Sequence, residues 1–296
     1  VTDGVPAGGP GVLAGPVPKM AQRRFRLSPA DYPESDEVTV RCVVDRGVAV
    51  FRVAESPALA FNVEEFEPPE GLSRHFRRSG HIHPVWTPAG HVVTDQFAPA
   101  DEHKHGIYAA WVNADFQGRN IDFGNQWKST GTVENRQLIA TVEGRVFGSL
   151  TSEMAYVDLS VKDVRKDALF EEWVVTVYAV TDGRLFEIES RQRCATSDPV
   201  ILRQHNYGGM AVRGPYAWQG QRECDFLTSE GKNRIEGNYT RPNWVNMHGL
   251  VDGAMGGLTM FCHPSNFRAP QMVRLHPELT YFVFTPVRLG QFEIKP

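Results

Sequence analysis

The sequence predicts a mostly β protein, a large antiparallel β-sandwich with long loops that carry its polar motifs. Three observations predict it. Short runs rich in Val, Ile, Thr, Phe and Tyr succeed one another, turn residues punctuate them, and helical periodicity is almost absent. In chain order, Val38 to Val44, Asp45-Arg46-Gly47 and Val48 to Val53 have the form strand, tight turn, strand, which is a hairpin. Pro57 to Phe66 is the one stretch that suggests a short turn of helix. Strands are then expected at Gln137 to Val142, Met154 to Val161, Trp173 to Val180 and Leu185 to Cys194, with Thr181-Asp182-Gly183 as a tight turn between the last two. Leu258 to Cys262 and Leu279 to Thr285 complete the set. No repeat at a fixed period supports a propeller or a solenoid. A single sandwich domain over residues 21–296 is expected, preceded by a Gly/Pro-rich flexible arm at 1–20.

Composition excludes several function classes. The net charge is -4 with both signs mixed along the chain, and no Lys/Arg block offers a nucleic-acid footprint. No run of about 18 apolar residues is available for a membrane-spanning helix. Cys42, Cys194, Cys224 and Cys262 are scattered without a C-x-x-C pair, which argues against a zinc knuckle and against a disulfide framework, and makes a reducing cytoplasm the default compartment. The nucleophile elbow, the Walker A lysine motif, the dinucleotide-binding glycine pattern and His-Glu-x-x-His are all missing.

The chemistry concentrates in histidines. His81-Ile82-His83-Pro84 and His103-Lys104-His105-Gly106 are both His-x-His pairs, and in a strand residues i and i+2 share a face. If the two strands are neighbours, His81, His83, His103 and His105 converge, with Asp101 and Glu102 as ligands or as acceptors that orient the rings. Imidazole with carboxylate suits one divalent transition metal without choosing among zinc, iron, manganese and copper. The same residues also suit general acid–base work, because histidine titrates nearest neutrality. Gln204 to Gly209 adds His205 beside glycines. A further loop, Cys262 to Pro270, carries His263 and Asn266 directly after an apolar strand, and Glu230, Arg234, Arg241 and Trp244 lie in the polar stretch before it. Aromatic platforms with Arg, Asn and carboxylate partners are what a sugar requires, since its apolar face stacks while its hydroxyls take fixed hydrogen bonds. For each lone histidine or tryptophan the plain alternative is a hydrogen-bonded loop histidine or a core indole.

The ordered motifs resemble the PmoA-like family, commonly labelled "methane oxygenase PmoA". The residues that carry the resemblance are Ser79 to Pro84, Thr94-Asp95, His103 to Gly106 with Trp111, Glu171-Glu172, Tyr207-Gly208-Gly209, Arg213-Gly214-Pro215, Ser229 to Gly231, Gly249, Asp252-Gly253 and His263 to Asn266. They span roughly residues 38–290, nearly the whole chain. This sequence reads Ala100-Asp101-Glu102-His103 where an Asp-His-Pro-His run is expected in relatives. A membrane methane monooxygenase subunit would need transmembrane helices, which are absent here. The resemblance implies a sandwich like the supersandwich of galactose mutarotases, and an association with carbohydrate breakdown.

The leading expectation is an enzyme acting on a sugar or glycoside-like small molecule by acid–base chemistry, through epimerisation, elimination or glycosidic cleavage. His83, His103 and His105 are its expected centre, with His205, Glu172 and Glu230 as further proton-transfer candidates. Trp111, Arg213, Arg234, Arg241, Trp244, His263 and Asn266 are expected to hold the substrate. A metal-dependent oxygenase or hydrolase on the two His-x-His pairs is the second expectation. A non-catalytic carbohydrate-binding protein is the third.

Overall fold

Period-two alternation decides most of the architecture. In Lys166–Tyr178 the side chains of Glu171, Trp173, Val175 and Val177 are buried, and the residues between them are only partly covered. The structure, a computed structural model, describes residues 40–180, 182–220 and 224–296. The expected arm at 1–20 and the expected start of the domain at 21 lie outside these residues. The described residues cluster as one unit.

The strands are β1 (Val40–Asp45), β2 (Val48–Val53), β3 (Ser56–Asn62), β4 (His81–Val85), β5 (Ile107–Ala110), β6 (Ala114–Phe116) and β7 (Arg119–Ile121). The long β8 (Gly131–Val142), β9 (Phe147–Asp158), β10 (Lys166–Tyr178) and β11 (Leu185–Cys194) follow. Next come β12 (Val200–Leu202), β13 (Gly209–Arg213), β14 (Asp225–Thr228), β15 (Trp244–Val251) and β16 (Ala254–Phe261). The last are β17 (Val273–Leu275), β18 (Tyr281–Phe284) and β19 (Phe292–Ile294). An eight-stranded sheet runs β1-β2-β3-β4-β5-β13-β18-β17, and a four-stranded sheet runs β11-β10-β9-β8. Two smaller sheets, β19-β12-β6-β7 and β14-β15-β16, complete the fold. Pairing along all of these ladders is antiparallel, so the mostly β, sandwich-like architecture is as expected.

The expected hairpin is present. Arg46 and Gly47 both have positive φ, 45° and 75°, as a two-residue turn matched to strand twist requires. Pro57 to Phe66 is a correction: Ser56–Asn62 is β3, paired on both sides, and its run Ala58 to Asn62 is buried throughout. A strand covered on both faces loses the alternation that marks strands in sequence, and helix-favouring Ala and Leu then mislead. The main core forms where the large sheets face each other, with Phe61 of β3 against Trp173 of β10 at 6.3 Å between ring centroids.

What matters for function is the other face of β5, β13 and β18. Ile107, Ala109, Val212, Phe282 and Phe284 point into the main core, while Tyr108, Ala110, Ala211, Tyr281 and Val283 form a separate cluster on the opposite side. The register sets Ala211 between Tyr108 and Val283, Gly209 beside Ala110, and Arg213 beside Tyr281. Small residues on the middle strand between tyrosines on its neighbours leave a hollow. Gly209 is needed there, because its φ is +134° and an added Cβ would lie 2.4 Å from the Phe284 carbonyl oxygen. Gly209→Ala is expected to lower stability by about 1–3 kcal/mol, read as a drop in the urea midpoint.

Candidate functional site

The hollow is a shallow cleft open to solvent. Its floor is Ala110, Gly209 and Ala211, its walls include Tyr108, Tyr207, Tyr281 and Asn125, and His103 and Lys104 reach it from the loop that precedes β5. The loop is tied to β13 at both ends: Asp95 N–H donates to the Arg213 carbonyl at 3.0 Å, and Arg213 N–H donates to the Gly106 carbonyl at 2.7 Å. Inside it, Asp101 N–H donates to Ala98 and Lys104 N–H to Asp101, at 2.9 and 3.0 Å, which folds the Asp101–Lys104 segment into a tight turn.

That turn builds a buried charge cluster. The Lys104 ammonium donates to Asp101 Oδ1, and the Arg213 Nε lies 3.3 Å from Asp101 Oδ2. The second contact is an ion pair without hydrogen-bond alignment, since neither of its two atoms has a directed partner. Arg213 is anchored instead through Nη1, which donates to the Thr280 hydroxyl and carbonyl. Lys104 also approaches His103 Nε2 at 3.3 Å and lies 4.4 Å from the centre of the Tyr281 ring. Burial, then the charges of Lys104 and Arg78, push His103 down to about 3, so it is neutral at neutral pH. Burial lowers Lys104 from the ordinary lysine value against the pull of Asp101, and raises the Tyr108 and Tyr281 hydroxyls, which stay protonated. The cleft therefore presents a neutral imidazole beside phenolic proton donors. Across it the Tyr207 hydroxyl meets the Asn125 side chain at 3.2 Å, and Asn125 Nδ2 also donates to Asp122, whose partner is Lys128.

The structure distributes the other expected residues widely. One imidazole from each His-x-His pair meets the other: the His81 and His105 rings lie 5.2 Å apart, both fully buried. His81 Nε2 bonds Gln96 at 3.0 Å and His105 Nε2 bonds Gln126 at 3.1 Å. Gln126 spends its amide NH₂ on the Arg77 carbonyl, so its oxygen accepts from His105, which assigns the Nε2–H tautomer. His83 turns to Thr94 at 2.9 Å, and His103 faces the cleft. The four expected ligands are thus divided among three environments. Among the described residues, no three His, Cys, Asp or Glu side chains are grouped to hold a metal ion.

His205 and Trp111 line a smaller recess that shares Val112 and Tyr207 with the cleft; the Trp111 indole donates to Gln192 at 3.0 Å. Glu172 lies on the partly exposed face of β10, 3.6 Å from Arg191, whereas its neighbour Glu171 is buried and accepts from Tyr156 and Ser190. Glu230 pairs with Lys232 at 2.6 Å in an exposed turn. Arg234 clamps the carbonyls of His276, Pro277 and Leu279, and Arg241 clamps those of Arg268 and Pro270. Trp244 lies on the outward side of β15 against Phe261, and His263 and Asn266 sit in an exposed loop, bonded to Ser265 and Cys262. Sequence reasoning missed Lys104, Tyr108, Asn125 and Tyr281. Lys104, held between two histidines, was the one with a signal to find.

These features define a mostly β protein with a tyrosine-walled cleft over a buried Asp–Lys–Arg cluster. Over residues 49–296 the chain matches the model of a family described as a family of unknown function (DUF6807), and it belongs to that family. No curated protein and no solved structure matches it significantly. Among the described residues, no helix is long and apolar enough to cross a membrane.

Proposed function

We propose that the protein is an enzyme acting on a sugar or glycoside-like small molecule by acid–base chemistry in the cleft on β5, β13 and β18. One observation supports this most: neutral His103 stands at a concave site beside the phenols of Tyr108 and Tyr281. A base and acids converging on one small space are what proton abstraction and return, or departure of an alcohol, require. Tyrosine rings offer faces for an apolar sugar surface, and their hydroxyls, with Asn125, offer partners for its hydroxyl groups. The resemblance to PmoA-like proteins and to the mutarotase supersandwich points the same way, as analogy. The test is a turnover screen of free sugars, uronates and glycosides with the wild type and with Ala211→Phe, which fills the cleft floor. Turnover that Ala211→Phe abolishes while the circular dichroism spectrum stays unchanged is the expected result. Turnover that survives the filled cleft places the chemistry elsewhere.

A second reading has its own observation. The outward positions of β15 and β16 carry Trp244, Leu250, Met255 and Phe261, with Asn246 donating to Thr259 at 2.8 Å between them. An aromatic sheet face with polar groups suits carbohydrate binding without turnover. That reading expects Trp244→Ala to abolish sugar binding and Ala211→Phe to leave it intact.

A further inference from the structure

We propose that the substrate of this cleft is an O-glycoside and that Tyr207 is the acid that protonates its departing alcohol oxygen. The inference rests on the sugar-site reading above and names the bond that breaks there. Of the three phenols on the cleft, Tyr108 and Tyr281 are buried, whereas Tyr207 is half-buried, on the loop between β12 and β13. A departing alcohol leaves toward solvent, and the more exposed phenol is the one placed to serve it.

The Tyr207 hydroxyl is oriented by a chain of hydrogen bonds that starts at Asp122. Asp122 is buried, and its Oδ1 accepts the backbone N–H groups of Gly124 and Asn125 at 3.0 and 2.7 Å. Its Oδ2 receives the Lys128 ammonium at 2.7 Å and Asn125 Nδ2 at 2.8 Å, which assigns the NH₂ end of that amide. An amide NH₂ carries two hydrogens, and the second is directed to the Tyr207 oxygen at 3.2 Å. A phenol oxygen that accepts an N–H still holds its own proton. The partner this proton has here is Asn125 Oδ1, at a long 3.4 Å. A ligand oxygen at the usual distance of about 2.7–2.8 Å takes the proton over.

The ring is held as well. The His205 imidazole meets it edge to face at 4.7 Å between centroids, and His205 Nδ1 lies 3.1 Å from the Tyr207 carbonyl oxygen. Asn125 and His205 are therefore positioning residues that act through Tyr207. In the reaction, the C–O bond to the departing alcohol breaks with its electron pair on the oxygen, and the Tyr207 O–H breaks to deliver its proton there. Water forms the new bond to the sugar carbon and gives a proton to His103. The imidazolium and the phenolate return to neutrality by passing one proton through the solvent that reaches the cleft.

The test is the leaving-group dependence of turnover by the full chain and by Tyr207→Phe, on methyl, phenyl and 4-nitrophenyl glycosides of the sugar on which the wild type acts. A nitrophenolate departs without a proton, and an alkoxide does not. Tyr207→Phe is expected to lower kcat by about 10²–10³ on the methyl glycoside and by less than about tenfold on the nitrophenyl glycoside, with KM and the urea midpoint nearly unchanged. Asn125→Ser keeps the phenol but removes the N–H held against it, and is expected to give the same pattern with smaller losses. Equal losses on all three glycosides, or none, overturn Tyr207 as the acid and leave the sugar site standing. Turnover of free sugars without cleavage of any glycoside does the same. Turnover of neither class overturns both readings.

Discussion

Replacing His103 with glutamine is expected to lower turnover in the cleft by about 10²–10⁴, the usual contribution of a positioned general base. The substitution keeps the volume and one acceptor for the Lys104 ammonium, because a glutamine oxygen can stand where Nε2 stands now. Stability and ligand binding are therefore expected to change little, and the loss should fall on kcat with KM nearly constant. His105→Gln is the informative contrast. His105 is fully buried between Phe97, His81 and Gln126, so its loss should act on the urea midpoint first. Equal kcat losses in the two variants, with equal loss of fold, would give His103 a merely structural role.

The second large effect is on acid stability. Burial is the first cause that lowers His81 to about 3, His83 to about 4 and His103 to about 3, and it lowers His105 well below 6.5. In the unfolded chain each takes a proton near the ordinary histidine value of about 6.5, so between that pH and the folded values the unfolded state binds more protons. Their contribution is complete above pH 6.5 and is lost as pH falls toward 3–4. For His81, fully buried, the loss at pH 5 is about 2 kcal/mol, and the other three histidines act in the same direction. Acidic groups with lowered values, such as Asp158 beside Arg119, act in the same direction but only below about pH 4.5, so the range 5–7 isolates the histidines. Urea midpoints that fall steeply over that range are expected. A flat profile would mean that the imidazoles take up protons in the folded protein as readily as in the unfolded chain.

How much of this was readable in the sequence depends on whether the signal is local. The turn at Arg46-Gly47 and the bounds of β11, Leu185–Cys194, follow from residues next to one another. Gln137 to Val142 marks only part of β8, and Trp173 to Val180 misses the first half of β10 and runs past its end at Tyr178, because the remaining residues of each strand are set by pairing with β9. The cleft is almost wholly non-local. Tyr108, Ala211 and Tyr281 become neighbours through the register of β5, β13 and β18, which no motif states. His103 stood out for its spacing to His105, yet the strand geometry behind that expectation does not hold: both residues precede β5, and the two rings face different surroundings. Arg213 was expected to hold substrate and lies instead beneath the cleft, fully buried beside Asp101. Buried charge of that kind cannot be told from surface charge by composition alone.

The most direct test of the central claim, that chemistry occurs in this cleft, is a crystal structure of His103→Gln with a sugar that the wild type turns over. The account predicts the ring between Tyr108, Tyr207 and Tyr281, with polar contacts to Lys104 and Asn125. A sugar seated on Trp244 and Phe261, with the cleft empty, would contradict it.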